Sequence, residues 1–84
     1  MSINIFKVMD ASFMLKECPE EVPHGQRLKA ERFIEANAGP DLAEACEDGA
    51  KNFAFDGLYY TAAILYRQAK RERGRNPSPW SLPT

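Results

Sequence analysis

Apolar positions recur at helical spacing along most of this chain, most regularly in its second half. In "GPDLAEACEDGAKNFAF", Leu42, Cys46, Gly49, Ala50 and Phe53 stand at i, i+4, i+7, i+8 and i+11, one face of an α-helix. Glu44, Asp48, Lys51 and Asn52 fall on the opposite side. Pro40 marks the boundary and Asp41, with Glu44 three residues on, reads as an acidic capping box, so a helix is predicted over about 41–54. Gly49 lies inside the apolar stripe and marks a place where another helix comes close.

The same spacing returns in "FDGLYYTAAILYRQAKRERGR". Leu58, Ala62, Leu65, Tyr66 and Ala69 repeat the stripe, with Asp56 as the expected N-cap and Gly57 in the turn. Arg67, Lys70, Arg71 and Arg73 occupy the last turns, where cations meet the negative end of the helix dipole. Gly74 and Pro77 are the expected stop. So few residues separate the two helices that they should pack antiparallel, as an αα-hairpin.

Upstream, "HGQRLKAERFIEANAGP" predicts a shorter helix over about 25–37, with Ala30, Phe33, Ile34 and Asn37 on one face and Leu28 off it, exposed. "CPEEVPHG" before it reads as a loop. The first eighteen residues are apolar on two sides if helical: Ile5, Phe6, Met9 and Phe13 on one, Val8, Ala11, Met14 and Leu15 on the other. A helix within 3–17 fits best, and a short strand followed by a helix from Asp10 is the alternative. A helix apolar all round needs neighbours on both sides, which points to a homodimer through this N-terminal segment. The pattern therefore predicts an all-α fold: a compact bundle of three to four helices over 1–75, containing a C-terminal antiparallel hairpin. The Pro-rich stretch "NPSPWSLPT", 76–84, is expected to be an extended tail.

One stretch, "GLYYTAAILYRQA", resembles the second half of a tetratricopeptide repeat through Gly57, Tyr59, Ala62, Tyr66 and Ala69. The preceding helix departs from that family, with Cys46 where a tryptophan-like residue is expected and Gly49-Ala50 where Leu-Gly is. A solenoid needs about three copies and this chain has one, so the resemblance implies tight hairpin packing and no more.

Composition and charge narrow the function. With 84 residues, 44% of them hydrophobic and 27% charged, the chain suits one small folded domain. No apolar run approaches a membrane span, and the first residues show neither a basic leader nor a small-residue cleavage site, so a cytoplasmic protein is expected. Cys18 and Cys46 are too few and too far apart for a disulfide framework. The net charge is −1, unevenly spread: 1–66 carries six Lys/Arg against eleven Asp/Glu, and 67–75 carries five against one. An acidic body thus ends in a basic tip.

Catalytic and metal chemistry find little purchase. His24 is the one histidine, and the grouping Cys18, Glu20, Glu21 and His24 matches no zinc spacing. No glycine-rich phosphate loop is present. The expectation is a non-enzymatic protein with no cofactor and no metal. On a helical projection of the last helix, Tyr60, Ile64, Arg67 and Arg71 lie about 180° from the core stripe, and Tyr and Arg are enriched at interface hot spots. That face, extended by Arg75 and Trp80, is the candidate docking surface for another protein. Its bland alternative is that the N-terminal segment or Trp80 covers it. The function expected is a small regulator, adaptor or inhibitor; this size class includes phage and mobile-element accessory proteins that block a host factor. The alternative is nucleic-acid binding by the basic tip, with Tyr60 before it; an overall pI near 5.8 weighs against that.

Overall fold

The computed structural model describes residues 4–75. The tail with Trp80 and the side chain of Arg75 lie outside the described residues. Asn4 opens the first helix, its side-chain oxygen accepting the Lys7 backbone N–H at 3.2 Å. Helix α1 (Ile5–Glu17) then runs without a break, so the strand alternative is not adopted. The expected loop contains a single 3-10 turn, Pro19–Glu21, and leads into α2 (His24–Ala36). Helices α3 (Leu42–Phe55) and α4 (Tyr59–Arg75) follow. No strand occurs among the described residues, and the fold is an all-α bundle built on the α3–α4 hairpin.

At the helix ends, three local details differ from expectation. Asp41 does precede α3, but its side chain makes no capping hydrogen bond, so the capping box is not formed. Asp56 closes α3 instead of opening α4. The Gly57 N–H donates to the Ala54 carbonyl at 3.1 Å and the Leu58 N–H to the Phe53 carbonyl at 2.8 Å, the paired bonds of a Schellman motif. Gly57 sits at φ +85°, which a side chain would strain. Gly74 does not end α4, which continues to Arg75.

The start of α4 is capped from another helix. Leu58 carries no acceptor, and Gln26 of α2 supplies one: its Oε1 accepts the N–H groups of Tyr60 (3.1 Å) and Thr61 (3.4 Å). The Thr61 hydroxyl answers by donating to the Gln26 carbonyl at 2.9 Å. Two orphan donors of α4 are thereby satisfied, and the fully buried Thr61 has a partner.

Alpha-helix α4 is central and touches α1, α2 and α3. Seven of the thirteen buried core residues are alanines: Ala11, Ala30, Ala50, Ala54, Ala62, Ala63 and Ala69. Small side chains let helix axes approach closely, and Leu65 and Cys46 fill the space between them. Burial, with Glu72 adding to it, pushes the Cys46 thiol above its ordinary value, so it packs as a small hydrophobe. The close approach expected at Gly49 is made by Phe33 of α2. A Cβ on Gly49 would overlap that ring, with two ring carbons at 2.9 Å. Phe33 also meets Phe53 edge-on, centroids 5.8 Å apart, which locks α2 to α3. Leu28, expected to be exposed, is half-buried.

Candidate functional site

Helix α1 uses one of its two apolar sides. Val8, Ala11 and Leu15 are buried in the core, and Lys7 lies over the Tyr59 ring at 5.7 Å to the centroid. The other side faces solvent: Ile5 is 51% exposed, Phe6 75%, Met9 61% and Phe13 62%. Fully burying one such side chain is worth about 1.5–3 kcal/mol, so four on one helix face are a surplus that the described bundle does not use.

The outer face of α4 is partly covered. Tyr60 and Ile64 are half-buried and pack against the core, whereas Arg67 and Arg71 are exposed. Ile64 shares a shallow groove of about 170 Å³ with Leu15 of α1, Arg27 and Glu31 of α2, and Arg67 and Arg71 of its own helix. The N-terminal segment thus borders the predicted face without closing it. A second depression, between Ser12 and Tyr66, Arg67, Lys70 and Arg71, joins this basic strip to the flank of α1.

The basic tip is not uniform. Arg73 is taken by Glu47 of α3, its Nε donating to the carboxylate at 2.5 Å. That hydrogen bond holds the Glu47 carboxyl below its ordinary value. Burial, with Glu47 adding to it, pushes the Tyr66 hydroxyl up. Arg71 donates to the Gln68 side-chain oxygen at 3.4 Å, and Gln68 donates in turn to Glu72 at 3.1 Å. Arg67 and Lys70 project into solvent.

The structure brings together Ile64, Arg67 and Arg71 of the predicted site. Tyr60 is set apart one turn earlier, beside the Gln26 clamp. Arg27 and Glu31 were missed because their i, i+4 spacing on α2 marks only a solvated helix face; their approach to α4 depends on how the helices cross. Among the described residues no group of three His, Cys, Asp or Glu side chains could hold a metal ion, and both cysteines are free. No described helix is long and apolar enough to cross a membrane.

No family model matches the chain, and neither curated proteins nor solved structures include a match to it.

Proposed function

We propose that this protein is a small non-catalytic protein-binding regulator, adaptor or inhibitor that docks through the outer face of α4. The observation that carries the reading is the groove in which half-buried Ile64 lies beside exposed Arg67 and Arg71, an apolar floor with a cationic rim. The acidic remainder of the chain disfavours polyanions, and Arg73 is already engaged by Glu47, so the nucleic-acid alternative has fewer cations to use. Partner capture from a host lysate tests the reading. Arg67→Glu with Arg71→Glu should release the captured protein while circular dichroism shows an intact helical fold. Capture unchanged by that pair would sink it.

A second reading concerns the α1 face, and its four exposed apolar side chains favour it. Its occupant is a second copy of the chain, in an isologous dimer. Light scattering behind a sizing column should give twice the 9.5 kDa chain mass. Phe6→Ser with Phe13→Ser should return it to the monomer; a wild-type monomer at high concentration counts against the dimer.

A further inference from the structure

We infer that the groove between α1, α2 and α4 is a carboxylate-recognition site, and that the partner segment it accepts is an acidic peptide. The inference rests on the protein-binding reading above and names the chemistry of the partner. Arg27, Arg67 and Arg71 line a single groove, and Leu15 and Ile64 form its apolar part. Among the described residues none of these three arginines is ion-paired, unlike Arg73, two residues beyond Arg71. Two of them are held in place: the Arg27 Nη2 donates to the Pro19 carbonyl at 2.8 Å and the Arg71 Nη1 to Gln68. Guanidinium groups fixed through one nitrogen keep further N–H donors for a ligand, in a fork that suits a carboxylate.

Size and charge select among anions. At about 170 Å³ the groove is smaller than a typical small-molecule pocket, and it suits one side chain. The aliphatic stem of an Asp or Glu can lie on Leu15 and Ile64 while its oxygens reach the arginines. Glu31, in the same groove, partly offsets the three cations and repels a second anion at that end. An isolated carboxylate is accepted there on better terms than a continuous phosphate chain.

The test is a library of random 12-residue peptides displayed on phage and panned over the full chain, beside a 20-nucleotide polyuridylate measured by fluorescence anisotropy. Recovered peptides should carry Asp or Glu. A synthetic copy of the strongest should lose about tenfold or more in affinity, a step of 1.4 kcal/mol, when its acid becomes the amide or when the protein carries Arg67→Gln with Arg71→Gln. Circular dichroism of the variant confirms that the fold survives. Peptides without acids, binding indifferent to both changes, or no binder at all would overturn the inference. Peptides without acids that are lost on Ile64→Ser would overturn it and leave docking through α4 standing, whereas peptides lost only on Phe6→Ser with Phe13→Ser would end both. Tight polyuridylate binding that depends on Arg67 and Arg71 would end both.

Discussion

The α3–α4 hairpin and helix α1 use apolar residues in opposite ways. In the hairpin the buried residues are mostly small, Ala50, Ala54, Ala62, Ala63 and Ala69 around Cys46 and Leu65, and Phe55 is the one large apolar side chain among its described residues left mainly in solvent. In α1 the buried side is the modest set Val8, Ala11 and Leu15, while Ile5, Phe6, Met9 and Phe13 stay exposed. A core of alanines gains little per side chain but lets three helices crowd around α4. The large residues of α1 would gain far more by burial, and nothing in the described bundle buries them. Stability is thus concentrated where side chains are small, and the capacity to associate where they are large.

Substitutions of similar size should separate the two regions. Leu65→Ala, in the fully buried centre of α4, should cost about 2–5 kcal/mol in urea denaturation. Phe13→Ala removes more atoms, yet in dilute protein it should stay within about 0.5 kcal/mol of wild type. Equal losses at the two positions would abolish the contrast.

Next in size is Gly49→Ala, which sets a methyl group against the Phe33 ring and should cost about 1–3 kcal/mol. In a Phe33→Ala background the overlap is gone, and the same change should stabilise by up to about 1 kcal/mol through helix propensity. A cost that persists there would mean that Phe33 is not the obstacle. Gln26→Ala removes the acceptor for two N–H groups of α4 and should cost about 1 kcal/mol, seen as faster amide exchange at Tyr60 and Thr61.

The smallest effect is electrostatic. Because Arg73 lowers the Glu47 pKa in the folded state, their pair stabilises the fold above the unfolded glutamate value of about 4.3 and loses that contribution as pH falls through the folded value. Glu47→Gln should therefore lower stability slightly at neutral pH, since exposed pairs contribute little, and match wild type below the folded value, so that its acid limb is a little flatter. An acid limb identical to wild type would show that the pair contributes nothing measurable.

Much of the fold was legible because helical periodicity is local. The stripes through Leu42, Cys46 and Ala50 and through Ala62, Leu65 and Ala69 identify both hairpin helices, and Gly49 within its stripe correctly announced a close neighbour. The turn was misjudged at Asp56, which can cap a following helix or close a preceding one; the Schellman bonds at Gly57 decide between them. Of the candidate site, Ile64, Arg67 and Arg71 could be placed on one face of α4 from spacing alone.

The sequence by itself determined the three helices from residue 25 onward, the charge asymmetry and the two apolar sides that the first segment has if helical, since each follows from residue type and order along a helix. That this segment is one helix from Ile5 was decided by the structure. Only the tertiary structure decided which side of α1 is buried, that Gln26 caps α4, and that Arg27 and Glu31 join Ile64 in one groove. Those facts depend on the angles at which helices cross, and crossing angles come from side chains meeting across long stretches of chain, which no local pattern records.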